Sequence, residues 1–151
     1  MSQIHQEITF DFAPPRVYRA LLDAGEFAAF TGAPAEIGSR EGDAFLYFGD
    51  LVMGRIVQLV PDRRIVLAWR VFNWPEGAYS IARFELKPVG SGTLLVFDQD
   101  GVPDGDVKHV DQGWGHKYWE PLRKHLAGAS GPARRDPAPT TRAKAGAKKS
   151  R

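Results

Sequence analysis

The sequence predicts an α+β domain in which one antiparallel sheet of about six or seven strands curves around a long C-terminal helix, with two short helices after the first strand. Three observations indicate this architecture. Apolar and polar residues alternate near the start of the chain, five later segments have the length and turn-bounded ends of strands, and a segment near residue 120 has apolar residues at helical spacing. A chain of 151 residues is long enough to bury one such core.

The first predicted elements are a strand and two helices. Residues 3–12 alternate apolar and polar side chains, which is typical of a strand with one buried face. Residues 13–24 change to helical spacing, and two prolines fall in the first turn, where a missing N–H costs nothing. Gly25 is predicted to end this helix, and residues 26–30 are predicted to form a second short helix.

Only strands are predicted between residues 43 and 101. Each segment is bounded by Gly, Pro or Asp, and the stretches VPDRR and PVGSG are typical of hairpin connections. One face of these strands is apolar and the other is partly polar, which indicates an antiparallel sheet buried mainly on one side. The five strands are DAFLYFG (43–49), LVMGRIVQLVP (51–61), RRIVLAWRVF (63–72), AYSIARFELKP (78–88) and GTLLVFDQDG (92–101).

The last predicted element is a long helix that begins after a cap at Asp104 or Asp106 and ends at about Ala127. Its apolar residues cover about half of the helix circumference, so we expect the sheet to enclose it and to leave a cavity at its open end. Pro121 cannot donate a hydrogen bond to Lys117, which predicts a bend. The apolar half comprises Val110, Trp114, Gly115, Tyr118, Trp119, Leu122 and Leu126.

Composition and charge indicate the compartment and the domain limits. The chain has no cysteine, no apolar run long enough for a membrane span and no signal-peptide pattern, so we expect a cytoplasmic protein with no membrane segment. Residues 128–151 carry seven Lys and Arg against one Asp, whereas residues 1–127 have a net charge of −4. We therefore expect a domain over residues 1–127 and a disordered basic tail over residues 128–151. The tail is either a solvated extension or a weak nucleic-acid contact.

The sequence gives little support to metal or nucleotide chemistry. His109 and His116 are about 10 Å apart along a helix, too far to share one ion. His116 and Glu120 have helical pair spacing but no third ligand. No G-x-S-x-G motif and no Gly-rich phosphate loop occurs in the chain. We therefore expect no metal and no cofactor.

General acid–base catalysis has three candidate residues. Asp111 and His125 are expected near the centre of the apolar helical face, and Gln99 lies on an apolar strand face. A carboxylate and an imidazole in a dry cavity could have shifted pKa values and transfer protons. The alternative is that Asp111 caps the first helical turn and His125 lies at the solvent rim.

A second set of candidates would line a ligand cavity. In a fold with a central cavity, core and lining residues partly coincide, so the same side chains either fill the core or contact a ligand. Trp114 lies between two glycines, which favours tight packing, and the hydroxyl of Tyr118 makes that residue the better ligand contact. The predicted ligand contacts are Trp69, Phe84, Leu95, Phe97, Gln99, Trp114, Tyr118 and Leu122, with Phe72, Trp74 and Trp119 as further aromatic candidates.

Four consecutive blocks of the chain resemble one known family. They are ITFDFAPPRVYRALLD, GRIVQLVPDRRIVLAWR, GTLLVFDQDGVP and GWGHKYWEPLRKHL, and they cover about residues 4–127. Together they resemble the SRPBCC superfamily (START and birch-pollen-allergen-like, helix-grip), in the branch similar to the C-terminal domain of activators of the heat-shock protein 90 ATPase. The resemblance implies a helix-grip fold with a hydrophobic cavity between the sheet and the last helix. Members bind lipids, hormones or aromatic compounds, and some are polyketide cyclases or dehydratases.

Three functions follow as hypotheses. The first is a binding protein, monomer or homodimer, for a small apolar molecule that is aromatic or lipid-like, without catalysis. The second is a cyclase- or dehydratase-like enzyme that uses Asp111, His125 or Gln99. The third, implied only by the resemblance, is an interaction module that contacts a chaperone.

Overall fold

A seven-stranded antiparallel sheet is the frame of the computed structural model, which describes residues 2–129. The spatial order is β1-β7-β6-β5-β4-β3-β2, so β1 pairs with the last strand, β7. The two helices that follow β1 in the chain connect it to β2 at the opposite edge of the sheet. This arrangement confirms the predicted fold class. The strands are β1 Ile4–Phe10, β2 Ala35–Ile37, β3 Ala44–Tyr47, β4 Val52–Val60, β5 Arg64–Val71, β6 Ser80–Val89 and β7 Gly92–Asp100.

The two short helices are α1, Pro14–Leu22, and α2, Ala24–Thr31. The prediction that Gly25 ends the first helix is wrong, because the break lies at Asp23, which has extended backbone angles. The Asp23 carboxylate accepts a hydrogen bond from the backbone N–H of Glu26 at 2.9 Å. An N-cap of this kind starts a new helix at Ala24, so Gly25 lies inside the first turn of α2.

Two features of the sheet are absent from the sequence pattern. The three-residue strand β2 pairs with β3 and is too short to show alternation. In β4 a bulge at Val57 shifts the register against β5, which bends the strand. Gly54 is required in the same strand, because a Cβ there would overlap the carbonyl oxygen of Ala68 on β5.

The C-terminal helix is continuous but not uniformly α-helical. After a 3₁₀ turn at Asp104–Asp106 it consists of α3, Val107–Gly113, a π-helical segment, Trp114–Trp119, and α4, Glu120–Ala129. The π-helical segment ends at Trp119, two residues before Pro121, where the sequence predicts a bend. A wider turn at this position accommodates a residue that lacks an N–H and crowds the preceding carbonyls.

The buried face of this helix matches the sequence pattern. Six of the seven predicted residues are buried, and Gly115 is half-buried. Asp106, one of the two predicted cap residues, occupies the N-cap position of α3. Its side chain makes no capping bond and instead accepts a hydrogen bond from the Trp74 indole at 2.8 Å. The helix continues to Ala129, two residues beyond the predicted end.

The predicted basic tail lies almost wholly outside the described residues, from residue 130 onward. The expected domain boundary and the expected nucleic-acid contact therefore stay predictions. No helix within residues 2–129 has the length and apolar character that crossing a membrane requires.

Candidate ligand-binding site

The centre of the domain, between sheet and helix, is filled by aromatic side chains. The Trp114 ring is 1% exposed and lies 4.4 Å from the Phe97 ring and 4.1 Å from the Tyr118 ring, centroid to centroid. The void beside it measures about 10 Å³, close to the space of one water molecule. The predicted cavity is therefore not at the centre. The void is lined by Leu21, Phe27, Tyr47, Ile65, Leu67, Phe84, Trp114 and Tyr118.

A much larger cavity, hereafter the groove, opens at one end of the helix–sheet interface. It has a volume of about 700 Å³. One wall comes from the C-terminal helix, and the other comes from the ends of α2 and β5, the start of β4 and the adjoining loops. The groove is lined by Thr31, Phe48, Leu51, Val52, Trp69, Val71, Phe72 and Asn73, and by Asp106, His109, Val110, Gly113, Trp114, His116, Lys117, Tyr118 and Pro121.

The loop between β5 and β6, residues 72–79, is fastened to the sheet by one arginine. Arg70 is 9% exposed, and its guanidinium donates hydrogen bonds to four backbone carbonyls of this loop, at 2.9 to 3.3 Å. The indole N–H of Trp74 then ties the same loop to Asp106 at the start of the C-terminal helix. These bonds fix Phe72 and Asn73 as part of the groove wall. The four carbonyls belong to Phe72, Trp74, Pro75 and Ala78.

The opposite wall contains a strained residue. Phe48 has a left-handed φ of 54°, which is rare for a bulky side chain, and it precedes Gly49 with φ 72°. This backbone turns the Phe48 ring edge-on to the Tyr118 ring, with centroids 5.6 Å apart. The Lys117 ammonium lies 5.9 Å from the Phe48 ring. The loop between β3 and β4 therefore presents an aromatic side chain to the groove.

A buried chain of hydrogen bonds runs behind the groove. The Trp114 indole donates to Gln99 Oε1 at 2.8 Å, and Gln99 Nε2 donates to Ser80 Oγ at 2.9 Å. The hydroxyl of Ser80 donates to the carbonyl oxygen of Trp69 at 2.8 Å. The Gln99 amide oxygen and nitrogen are therefore both hydrogen-bonded to buried side chains, although the residue lies on an apolar strand face.

Two polar atoms of this region have no hydrogen-bond partner among residues 2–129. They are the Trp69 indole nitrogen and the Tyr118 hydroxyl, and both are buried. Burial raises the pKa of Tyr118 well above its usual value of 10. The Trp69 indole lowers the Tyr118 pKa by a smaller amount, although the two groups do not meet the geometry of a hydrogen bond.

The predicted ligand contacts fall into three groups. Trp69, Trp114 and Tyr118 line the groove, and Phe84 lines only the small void. Phe72 lines the groove as well. The remaining four predicted contacts have essentially no exposed surface and line neither cavity. They are Leu95, Phe97, Gln99 and Leu122.

Sequence reasoning missed several residues of the groove. Phe48, Leu51 and Val71 lie at the ends of strands or beside turns, where alternation no longer indicates which way a side chain points. For Phe48 the following glycine is a turn signal, but it does not predict the left-handed backbone of Phe48 itself.

The three acid–base candidates do not form one site. Asp111 is exposed and accepts a hydrogen bond from the Gln6 amide. His125 lies about 20 Å further along the helix than Asp111. It is half-buried, and its Nε2 atom lies 2.8 Å from the Glu26 carboxylate. The expectation that Asp111 and His125 occupy the centre of the apolar face is wrong, because both lie at its polar margins. Gln99 is enclosed behind Trp114.

Glu26 joins three helices. Its carboxylate lies 2.8 Å from both the Arg16 guanidinium and His125 Nε2, and 3.2 Å from Arg19 Nε, so it links α1, α2 and α4. Burial by itself raises the pKa of Glu26, but the hydrogen bonds from His125 and Arg16 outweigh this effect and bring the pKa to about 2.

We expect this carboxylate to make stability depend on acidic pH. A carboxyl group whose pKa is lowered by folding stabilises the folded state above its unfolded pKa of about 4.5 and loses that contribution as pH falls towards about 2. The variant Glu26→Gln should lose about 2 kcal/mol of unfolding free energy at pH 7. Its difference from the original protein should shrink between pH 4.5 and pH 2 in denaturation curves. A difference that stays constant over this range would contradict the assignment.

Within the described part of the chain, no group of three or more His, Asp or Glu side chains is arranged to hold a metal ion. The groove is instead defined by its aromatic and aliphatic walls, with the charged or imidazole groups of Asp106, His109, His116 and Lys117 on the helix side.

A curved antiparallel sheet that encloses a long C-terminal helix, with two short helices after β1, defines the helix-grip α+β fold. Residues 11–127 match the family described as Activator of Hsp90 ATPase homolog 1-like protein. The chain belongs to this family, within the SRPBCC helix-grip superfamily, and the resemblance inferred from its sequence blocks is confirmed.

Individual relatives agree with this assignment. The chain is 30% identical over 116 residues to the human Activator of 90 kDa heat shock protein ATPase homolog 1. The aligned region covers 77% of this chain and 34% of the relative. The chain thus spans about a third of the length of the curated relatives it matches.

Two solved structures show the same fold. An HSP90 activator from Plasmodium falciparum has a TM-score of 0.77 at 22% identity, over 82% of this chain and 96% of that one. The solution structure of the Aha1 dimer from Colwellia psychrerythraea has a TM-score of 0.63 at 16% identity, over 83% of this chain and 91% of that one. A homologue can therefore dimerise, and for this chain the choice of monomer or homodimer stays a prediction.

Proposed function

We propose that this domain binds a small apolar molecule in the groove, without transforming it. The observation that carries the proposal is the groove itself. Its volume of about 700 Å³ lies within the roughly 300–1,000 Å³ typical of small-molecule sites, and aromatic and aliphatic side chains dominate its lining. The neighbouring interior is closed by Trp114, so a ligand of this size fits in the groove and not at the centre.

Flat aromatic molecules suit these walls best. Trp69, Trp114, Phe48 and Tyr118 present four ring systems to the same space. A site that buries most of a small ligand reaches about −8 kcal/mol, or a Kd of about 1 μM. Because two of these residues are tryptophans, binding should change the tryptophan emission and can be titrated directly.

The variant Gly113→Leu should block this binding. Gly113 lines the groove in a helical conformation, φ −60°, and an added Cβ there meets no atom within 4 Å. A leucine side chain can therefore enter the groove without displacing the core, and leucine also favours the helix over glycine. We expect at least a tenfold weaker affinity for a flat aromatic compound such as fluorene, which corresponds to about 1.4 kcal/mol.

Gly115→Leu is the matched control. Gly115 lies on the other side of Trp114 in the same helix, an added Cβ there also meets no atom within 4 Å, and the residue does not line the groove. Its variant should bind with the original affinity. Equal loss of binding in both variants, or none in either, would place the ligand elsewhere.

The cyclase- or dehydratase-like alternative receives no support from the acid–base candidates. Asp111 contacts Gln6, His125 contacts Glu26, and Gln99 holds Trp114. Three groups with separate partners do not converge on a ligand in the groove. Turnover of a bound aromatic compound, followed by mass spectrometry, is the outcome that would revive this alternative.

A chaperone contact is a second candidate function. Two observations favour it: relatives of this chain are named activators of a heat-shock protein ATPase, and Leu51 and Phe72 are exposed apolar residues at the mouth of the groove. The test is the ATPase rate of a 90 kDa heat-shock protein with and without the domain. A rate increase that Phe72→Ser abolishes would support this function, and an unchanged rate would leave ligand binding as the better proposal.

A further inference from the structure

We infer that the ligand of the groove is an acid, with a flat apolar body against the aromatic walls and one carboxylate at the rim, beside the Lys117 ammonium. This inference rests on the proposed function and gives its ligand a chemical class, the aromatic carboxylic acids.

The charges that line the groove differ from those of the rest of the domain. The domain as a whole is acidic, with a net charge of −4, but only one acidic residue, Asp106, lines the groove. Lys117 and the imidazoles of His109 and His116 line it as well. Asp106 lies about 15 Å from Lys117 along the helix, and its carboxylate already accepts the Trp74 indole N–H. At the Lys117 end, the lining of the groove therefore contains a cation and no acidic side chain.

The Lys117 ammonium has no anionic partner in the part of the chain that the structure describes. No carboxylate oxygen of residues 2–129 lies within 4 Å of it. It lies instead 5.9 Å from the centre of the Phe48 ring, which the left-handed backbone of that residue presents to the groove. A carboxylate on a ligand that packs against Phe48 therefore comes within reach of an unpaired cation.

The basic side chains of the rim are accessible to a ligand. Lys117, His109 and His116 are all exposed, and the first and the last lie eight and seven residues after His109. Two helical turns separate them, so the three side chains follow one face of the helix along the groove. An ammonium group and an imidazole N–H both donate hydrogen bonds, and such bonds are strongest to an ionised acceptor.

The place of the charge fits a carboxylic acid better than a neutral or a cationic ligand. A carboxylate enclosed among the aromatic rings would lose its hydration at a high cost, whereas at the exposed rim it keeps its contact with water. The apolar body of the same molecule leaves water against Trp69 and Trp114. A neutral ligand gains nothing from Lys117, and a cationic ligand finds no acidic side chain at this end of the groove.

Fluorene-2-carboxylate and its methyl ester form a matched probe pair, because they share the tricyclic frame and differ in charge. Titration of the tryptophan emission gives the Kd of each compound and the ratio of ester to acid. We expect the original protein to bind the acid about fivefold more tightly at low ionic strength, the upper end of what an exposed ion pair contributes. At about 1 M NaCl the ratio should approach one, because salt screens exposed charges.

Three variants locate the charge that causes this preference. Lys117→Met should bring the ratio of the two Kd values close to one, and Lys117→Glu should reverse it, so that the ester binds more tightly than the acid. Lys124→Met is the matched control, since Lys124 is an exposed lysine of the same helix that does not line the groove. Its ratio should stay near fivefold.

The outcomes separate this inference from the proposed function. If the original protein binds acid and ester equally well at low ionic strength, the inference is wrong and ligand binding in the groove still stands. If neither compound binds, the proposed function fails as well. A preference for the acid that persists in Lys117→Met would also overturn the inference, because the carboxylate would then lie elsewhere.

Discussion

Replacing Trp114 with alanine is expected to lower the free energy of unfolding by about 3–5 kcal/mol, the usual cost of truncating a buried tryptophan. The indole contacts the rings of Phe97, Tyr118 and Trp119, and it is 1% exposed. The truncation would also leave the Gln99 Oε1 atom buried without its donor, which adds an unsatisfied acceptor to the cavity. Chemical denaturation measures the change.

Two control variants separate these contributions. Trp114→Phe keeps much of the aromatic volume but loses the bond to Gln99, so it should be less destabilising than Trp114→Ala. Lys124→Ala changes an exposed position of the same helix and should have little effect. An alanine variant with the original denaturation midpoint would mean that the helix is not held to the sheet through this ring.

The sequence predicts the parts of this fold that depend on long periodic patterns. Alternation in β1 and helical spacing from Val110 to Leu126 each identify a buried face, because burial acts on every residue of a face in the same way. The elements it missed are short or local. The strand β2 has three residues, and the division between α1 and α2 depends on one Asp23 carboxylate bond.

The groove is less predictable for a physical reason. The position of the groove depends on where strands and helices end. Hydrophobic periodicity does not indicate the backbone conformation or side-chain direction beyond those ends. The left-handed Phe48 and the carbonyl bonds of Arg70 each depend on a backbone conformation that the residue types permit but do not require. Gln99 shows the same limit. Its place on an apolar strand face is readable from the sequence, whereas its bonds to Trp114 and Ser80 require the packed helix.

Replacing Arg70 is the second substitution for which we expect a large loss of stability. We expect Arg70→Met to lower the free energy of unfolding by about 3 kcal/mol, because four loop carbonyls lose donors from a charged group while the apolar volume is roughly kept. The loop of residues 72–79 should then exchange its amide hydrogens faster. Since Phe72 and Asn73 belong to the groove wall, the affinity for an aromatic ligand should fall as well.

The conservative variant Arg70→Lys tests whether charge or geometry holds the loop. The two terminal nitrogens of the guanidinium divide the four carbonyls between them, with Pro75 and Ala78 bonded to one and Phe72 and Trp74 to the other. A lysine ammonium has three donors on a single nitrogen and cannot span both pairs. We therefore expect the lysine variant to recover only part of the stability and part of the ligand affinity. Full recovery by lysine would show that a positive charge at this position is sufficient, and an unaffected methionine variant would show that the loop keeps its place by packing alone.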